Sequence, residues 1–220
     1  MTNYTDITIL LDRSGSMTSI RSAMEEAINA MITEAKDTPS TRVSLIQFDS
    51  ENPYEVVFER RPVLEVGPIT INPRGGTPLV DAFVKTIDNT GLRFAWMDES
   101  KRPSKVLMIV ITDGEENASK TYKRTDVFNR VTRQTNDYKW QFVYLGANQD
   151  AIAEAASYGI TYNYAMNYNT TDTGVRSLSR TMSNKVGTYL KSSPTTSMDS
   201  FTDDERDSAT DKNTTTTTTR

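Results

Sequence analysis

Residues 7–16 read Ile-Thr-Ile-Leu-Leu-Asp-Arg-Ser-Gly-Ser, an apolar, β-branched run that ends in a cluster of small polar residues. The apolar half is typical of a short buried strand. Residues 17–37 follow, and their apolar side chains repeat at the spacing of one helical face. These side chains are Ile20, Met24, Ala27, Ile28, Met31 and Ala35. The stretch therefore predicts a strand, a polar turn and a helix in direct succession.

The same alternation continues along the chain. Further strands are predicted at 42–48, 105–112 and 141–145, and further helices at 77–89, 125–136, 150–158 and 173–191. Residues 106–111 are continuously apolar, which is typical of a central parallel strand covered on both faces. Residues 54–60 predict an antiparallel edge strand, because Asn52 and Pro53 supply a turn before them. We therefore predict an α/β domain with a doubly wound, mostly parallel sheet, one antiparallel edge strand and flanking helices.

The composition excludes several classes of chemistry. The 220 residues carry 25 Lys and Arg against 29 Asp and Glu, a formal net charge of −4, with no Cys and no His. The lack of Cys excludes disulfides, thiol nucleophiles and thiolate metal sites, and the lack of His excludes imidazole bases, Ser-His-Asp triads and His-ligated metals. A bound metal would thus be a hard cation held by oxygen atoms.

The sequence also gives expectations about location and partners. The first residues are polar and lack the apolar core of a signal peptide, and the longest apolar run, 106–111, is far shorter than the roughly 20 residues that cross a bilayer. We therefore expect a cytoplasmic protein without a membrane partner. The mildly acidic chain lacks the basic surface of a nucleic-acid binder, so no nucleic-acid partner is expected.

The composition changes at residue 192. Residues 192–220 are rich in Ser, Thr and Asp, end in six threonines before Arg220, and contain one large aromatic side chain, Phe201. Such a segment buries too little apolar surface to offset its ordering entropy. We predict a domain over 1–191 and a disordered tail over 192–220, with a docking peptide around Phe201 as the alternative.

Oxygen-bearing side chains follow two of the predicted strands and precede one helix. Asp12, Ser14 and Ser16 form a D-x-S-x-S pattern after the first strand, Thr77 lies in a Gly-Gly-Thr-Pro stretch, and Asp113 follows the strand at 105–112. In doubly wound sheets, ligands bind beyond the carboxyl ends of the strands, where the strand order reverses. Two carboxylates and three hydroxyls meeting there suit Mg²⁺, with Mn²⁺ or Ca²⁺ as alternatives.

Each of these patterns also has a purely local explanation. Asp12, Ser14 and Ser16 are common turn and N-cap residues, and Thr77 before Pro78 is a helix-start signal. Capping and ligation are compatible, because a hydroxyl has two lone pairs and one proton. The ordered occurrence of all three patterns favours a shared metal site.

Taken together, the D-x-S-x-S pattern, the distant Thr77 and the Thr-Asp-Gly at 112–114 resemble the metal-ion-dependent adhesion site of von Willebrand factor A domains, over about residues 4–190. The resemblance implies a Rossmann-like α/β domain whose rim metal bridges to an Asp or Glu of a protein ligand. It implies that Ser14, Ser16 and Thr77 are hydroxyl ligands, and that Asp12 and Asp113 bind directly or through water. Arg13 would add positive potential at the rim.

The resemblance is to intracellular members of the family from bacteria and phages, which often work beside ATPases or in multi-component assemblies. It predicts a binding module and not an enzyme. One alternative is a Mg²⁺-dependent phosphotransfer enzyme with Asp12 as nucleophile, although that mechanism needs an aspartate where Ser14 stands. A second alternative is a structural or assembly protein of a phage or bacterial complex.

Overall fold

A single six-stranded sheet organises the chain. The structure, a computed structural model, describes residues 4–147 and 150–212. In spatial order the strands run β3-β2-β1-β4-β5-β6, and only the β2–β3 pairing is antiparallel. The strands are β1 (Thr5–Asp12), β2 (Arg42–Phe48), β3 (Glu55–Pro62), β4 (Lys105–Thr112), β5 (Gln141–Ala147) and β6 (Ala165–Tyr168). The predicted mixed, mostly parallel sheet with one antiparallel edge strand is confirmed.

Within residues 4–147 and 150–212, six α-helices pack around the sheet. They are α1 (Arg21–Ala35), α2 (Leu79–Ala95), α3 (Arg124–Tyr138), α4 (Ala151–Ser157), α5 (Asp172–Lys191) and α6 (Asp203–Ala209). Helices α1 and α5 pack on one face, against side chains such as Ile9 and Leu11. Helices α2, α3 and α4 cover the other face, where Leu10 and Val110 are buried. Every residue of β1 and β4 is buried, since apolar layers lie on both sides of these central strands.

Two helix starts differ from the predictions. The periodic segment from Met17 begins as a 3-10 helix (Gly15–Ile20), so α1 itself starts only at Arg21. Helix α2 begins at Leu79, and its N-cap residue is Pro78. Thr77, which was predicted to be the N-cap, is therefore the residue before it. The main-chain N–H of Thr77 instead donates to the side chain of Asn117.

Residues 192–212, the described part of the segment after α5, differ from the prediction of a disordered tail over 192–220. Met198, Phe201 and Ala209 are buried in the same core as α1 and α5. Helix α6 has a capping box formed by Thr202 and Glu205, which composition alone did not reveal. The domain therefore extends to residue 212, and Phe201 anchors the chain to its own core. The part of the predicted tail at 213–220 lies outside the described residues.

Arg206 of α6 fixes this segment to the edge of the sheet. Its guanidinium donates to the main-chain carbonyls of Ala165 and Tyr162 and lies 3.9 Å from the centre of the Tyr162 ring. The strand next to these contacts, β6, pairs in parallel with β5. Within the described residues, no helix is both long enough and apolar enough to cross a membrane.

Candidate metal centre

The strand order reverses at β1, which lies between β2 and β4. Asp12 is the last residue of β1, and Asp113 directly follows β4. Because β1 and β4 are parallel neighbours, their carboxyl ends meet at the same rim of the sheet. The sheet topology therefore brings together two carboxylates that are 101 residues apart in the chain.

The Asp12 carboxylate is buried and accepts a hydrogen bond on each oxygen. Its Oδ1 accepts from the main-chain N–H of Ser14 at 2.6 Å, and its Oδ2 accepts from the Thr112 hydroxyl at 2.7 Å. The first bond closes the turn after β1, and the second joins β1 to β4. Asp12 is thus both a candidate ligand and the residue that links the turn after β1 to the end of β4.

Three oxygen atoms form a continuous chain beside Asp12. The hydroxyls of Ser14 and Ser16 are 2.9 Å apart, and the Ser16 hydroxyl donates to Asp113 Oδ1 at 2.6 Å. In an octahedral Mg²⁺ site with metal–oxygen distances of about 2.0–2.1 Å, adjacent ligand oxygens are about 2.9 Å apart. The two observed spacings are hydrogen-bond distances, and they are also compatible with neighbouring corners of one coordination shell.

Thr77 joins this cluster through the close approach of its loop. A Cβ placed on Gly114 would lie 3.2 Å from Thr77 Oγ1 and 3.3 Å from Ser16 Oγ, so both hydroxyls border the same small space. The Thr77 N–H donates to Asn117 Oδ1 at 2.9 Å, and the Asn117 N–H donates to the Thr77 carbonyl at 3.1 Å. This reciprocal pair holds Thr77 against the loop that follows β4.

The Gly-Gly stretch before Thr77 lets two loops approach closely. The Gly15 N–H donates to the Gly75 carbonyl at 3.0 Å, and the Arg74 N–H donates to the Arg13 carbonyl at 2.8 Å. Gly75 has a φ of +64°, and a Cβ there would lie 2.5 Å from Ser50 Oγ. A side chain is excluded at this position both by the backbone conformation and by space.

The expectation that Arg13 adds positive potential at the rim is wrong. Arg13 is 6% exposed, and its guanidinium donates to Asp49 Oδ2 at 2.5 Å and to Glu55 Oε2 at 2.5 Å. Arg74 also donates to Asp49, at 3.1 Å. The side chain of Arg13 points beneath the loop, where carboxylates neutralise it.

Burial sets the electrostatics of the two candidate carboxylate ligands. Desolvation raises the pKa of Asp12 to about 7, although its bonds from Thr112 and Ser14 oppose the shift. Desolvation also raises the pKa of Asp113, and the Ser16 hydroxyl opposes it. Negative charge at this rim is therefore costly by itself, and a cation held between the two carboxylates would offset that cost.

The donor set fits a hard cation. Among residues 4–147 and 150–212, no group of three or more Asp or Glu side chains is placed to hold a metal ion. A site here would rest on two carboxylates supplemented by neutral hydroxyls, which is an all-oxygen set of the kind that Mg²⁺ and Mn²⁺ accept. The structure brings all five sequence-predicted residues, Asp12, Ser14, Ser16, Thr77 and Asp113, to one rim.

Several residues that shape this rim were not identified from the sequence. Thr112, Asn117 and Asp49 each hold a candidate ligand loop through one or more hydrogen bonds. Glu116 accepts from the main-chain N–H of Val80 at 2.7 Å and so stabilises the start of α2. Only Thr112 carried a local signal, because it directly precedes Asp113.

The fold and the rim together define a Rossmann-like α/β domain with an oxygen-rich cluster at its switch point. The family model for the von Willebrand factor type A domain matches residues 6–181. The chain therefore belongs to the von Willebrand factor type A family, whose domains are typically protein-interaction or adhesion modules. No curated protein sequence matches the chain.

Solved structures with the same fold include matrix and pilus proteins. Proximal thread matrix protein 1 from the mussel byssus superposes with a TM-score of 0.60 at 14% identity, over 84% of this chain and 48% of that one. A von Willebrand factor type A protein from Catenulispora acidiphila superposes with a TM-score of 0.56 at 15% identity, over 84% of this chain and 43% of that one. The pilus adhesin SpaC from Lactobacillus rhamnosus GG superposes with a TM-score of 0.57 at 13% identity, over 86% of this chain and 31% of that one. The chain thus spans less than half the length of each of these proteins.

Proposed function

We propose that the chain is a metal-dependent protein-binding module. In this proposal Asp12, Ser14, Ser16, Thr77 and Asp113 hold Mg²⁺, with Mn²⁺ or Ca²⁺ as substitutes, and a partner protein supplies an Asp or Glu to the same ion. The observation that carries the proposal is the chain of oxygens from Ser14 through Ser16 to Asp113, with Thr77 at its side.

The charge and exposure of the site favour a carboxylate from outside. The three hydroxyls are neutral, so the protein offers at most two negative charges, and an ion so held keeps its affinity for a further anionic oxygen. Ser16 is exposed to solvent, whereas Asp12 and Thr77 are almost fully buried. An incoming ligand therefore has access on the Ser16 side.

The sequence around Asp12 argues against phosphotransfer. That mechanism needs an acid–base aspartate two positions after the nucleophilic aspartate. The residue two positions later is Ser14, which cannot act as the acid–base group of that mechanism. We therefore favour binding over catalysis, and p-nitrophenyl phosphate turnover that Asp12→Asn abolishes would overturn this choice.

The similar proteins support a partner that is part of a larger assembly. They include a byssal thread matrix protein, a pilus adhesin and a minor pilin from Streptococcus sanguinis. One structure of the mussel protein is described as having a zinc-occupied MIDAS motif, the name of the metal-ion-dependent adhesion site. By this analogy the partner of the present chain is a protein component of an assembly, with a surface Asp or Glu.

Calorimetric titration with MgCl₂ and MnCl₂ tests the metal site. The wild type should bind one ion with a saturable heat and melt at higher temperature when the ion is present. Ser16→Ala and Asp113→Ala should remove both effects. Ser19→Ala is a matched control, because Ser19 is exposed on the same turn and its hydroxyl donates to the Ser16 carbonyl at 3.4 Å. Absence of saturable binding to the wild type would overturn the metal site.

The partner claim has a separate test. Wild type and Ser16→Ala are immobilised and exposed to a source lysate with either MgCl₂ or EDTA. The proposal expects a protein that is retained only by the wild type and only with the metal. Acidic-residue substitution in that protein should then abolish retention. Equal retention of the protein in EDTA and by the Ser16→Ala variant would contradict a metal-bridged contact.

A further inference from the structure

A cavity of about 480 Å³ lies between α2 and α3, at the end of the sheet where β4 and β5 begin. Its wall includes Lys105, the first residue of β4, whereas Thr112 at the other end of that strand contacts Asp12. At about 3.3 Å per residue these two ends are roughly 23 Å apart. The α2–α3 cavity is therefore separate from the candidate metal centre.

The floor of the α2–α3 cavity is apolar. Phe94, Val106 and Trp140 are nearly buried there, and the rings of Phe94 and Trp140 meet edge to face at 5.9 Å. Two further lining residues, Leu92 and Tyr138, are each 55% exposed. The size lies within the roughly 300–1,000 Å³ of ordinary ligand pockets, and a large side chain entering it would bury apolar surface on several sides.

Cationic side chains surround this apolar floor. Arg102, Arg133 and Lys139 line the cavity, and its one carboxylate, Asp88, is already paired with Arg130 at 2.8 Å. Neither Arg133 nor Lys139 forms an ion pair with another described residue. The C-terminal ends of α2 and α3 contribute only about half a negative charge each. The cavity therefore carries an excess of positive charge.

Part of this charge is held in place by the helix ends. The Arg102 guanidinium donates to the main-chain carbonyls of Ala95 and Met97, at 3.3 and 3.2 Å. Lys139 Nζ donates to the Asn136 carbonyl at 2.6 Å. Because these groups are already positioned, less side-chain entropy is lost when an anion binds beside them.

We propose that the α2–α3 cavity binds an acidic peptide segment of a partner protein, which inserts a large apolar side chain between the two helices. Charge complementarity selects the acidic flanks, and the apolar floor selects the inserted side chain. A peptide fits better than a small amphiphilic anion, because the apolar lining residues Leu92 and Tyr138 are more than half exposed and offer contact area beyond the buried floor. Trp96, directly after the lining residue Ala95, is 87% exposed.

The two tryptophans of the chain provide a direct assay. Trp96→Phe leaves Trp140, in the cavity floor, as the sole reporter of fluorescence. The probe is the peptide acetyl-Glu-Asp-Phe-Asp-Glu-amide, which contains no tryptophan, titrated in EDTA so that the metal centre plays no part. We expect a saturable change in Trp140 emission on addition of the peptide. The affinity obtained from it should fall severalfold between about 50 and 500 mM NaCl, because salt screens the ionic contacts.

Charge reversal supplies the decisive variant. Arg133→Glu should weaken binding of the peptide about fivefold or more, which corresponds to the loss of one rim charge pair. Arg176→Glu, an exposed position on α5 on the opposite face of the sheet, is the matched control and should leave binding unchanged. Binding should also persist in Ser16→Ala, which separates this site from the proposed metal-dependent function.

Three outcomes would overturn the proposal. The first is no saturable signal with the acidic peptide. The second is equal binding of the basic control peptide acetyl-Lys-Arg-Phe-Arg-Lys-amide. The third is equally tight binding of N-acetylphenylalanine, which would make the cavity a small-molecule site instead of a peptide site.

Discussion

Arg13 donates to the fully buried Asp49 carboxylate at 2.5 Å, and this pair joins the loop after β1 to the loop after β2. Asp49 also accepts from the main-chain N–H groups of Glu51 and Asn52. Burial alone would raise the pKa of Asp49, but the bonds from Asn52 and Arg13 hold it below its usual value. The loop that carries Ser14 is therefore anchored by a buried charge pair.

Removing Arg13 should destabilise the domain strongly. Arg13→Ala leaves Asp49 buried beside a weaker partner, Arg74, and should lower the free energy of unfolding by roughly 3 kcal/mol. Arg21→Ala, which breaks an exposed pair with Glu25, should cost only about 0.5 kcal/mol. Urea denaturation of the two variants measures the difference. Equal, small effects would show that the Arg13–Asp49 pair contributes little.

Truncation tests the folded segment after α5. A chain ending at Lys191 loses the buried side chains of Met198, Phe201 and Ala209, whereas a chain ending at Lys212 keeps all three. We expect the first truncation to lower the melting temperature markedly and the second to leave it nearly unchanged. Phe201→Ala in the full chain should cost about 3 kcal/mol. A chain ending at Lys191 that melts like the full chain would mean that the segment does not stabilise the domain.

Asp6 should give the domain a measurable pH dependence. Burial raises the pKa of Asp6 to about 6, despite its ion pair with Arg60 at 3.1 Å, and its Oδ1 has no hydrogen-bond partner among the described residues. The folded state thus holds a proton that the unfolded state releases near pH 4. Stability contributed by this group is present below about pH 4 and is lost as the pH rises to about 6.

Asp6→Asn removes that dependence. Relative to the wild type, the variant should gain on the order of 2–3 kcal/mol between about pH 4 and pH 7, because one pKa unit corresponds to about 1.4 kcal/mol. Chemical denaturation across this range measures the gain, with the exposed Asp137→Asn as control. A pH profile of Asp6→Asn parallel to that of the wild type would contradict the assignment.

Gly75 should be intolerant of any side chain. Gly75→Ala combines a positive φ with a close contact to Ser50, so we expect a loss of about 1–2 kcal/mol in the free energy of unfolding. We also expect weaker Mg²⁺ binding, because the same loop carries Thr77. Gly67→Ala is the matched control, since a Cβ there meets nothing within 4 Å. Thermal melts and Mg²⁺ calorimetry of both variants should separate the two. An unaffected Gly75→Ala would show that the loop adapts.

Much of the fold was predictable because single strands and helices carry their own periodicity. The apolar run at 106–111 predicted the central position of β4, which is confirmed. The five candidate ligands were also identifiable, since two of the three patterns follow predicted strands and the third precedes a predicted helix. That they hold a metal stays a prediction.

Long-range partners were not predictable in the same way. Nothing near Arg13 in the sequence indicates that its side chain meets Asp49 and Glu55, because that contact depends on the pairing of β1 with β2. Residues 192–212 were misjudged for a related reason. Their own apolar content is too low to form a core, but Phe201 and Ala209 complete a core that α1 and α5 have already built.

The path of residues 192–212 sets where Lys212 lies relative to the rim. Ser192 accepts from Lys105 at the start of β4, and Ala209 accepts from Asn169 just beyond the end of β6, so the segment travels the full height of the sheet. Lys212 consequently emerges on the side of the rim, whereas Tyr4, before β1, is on the far side. Attachment to a solid support through the Tyr4 end would leave the rim facing solution, and attachment after Lys212 would crowd it.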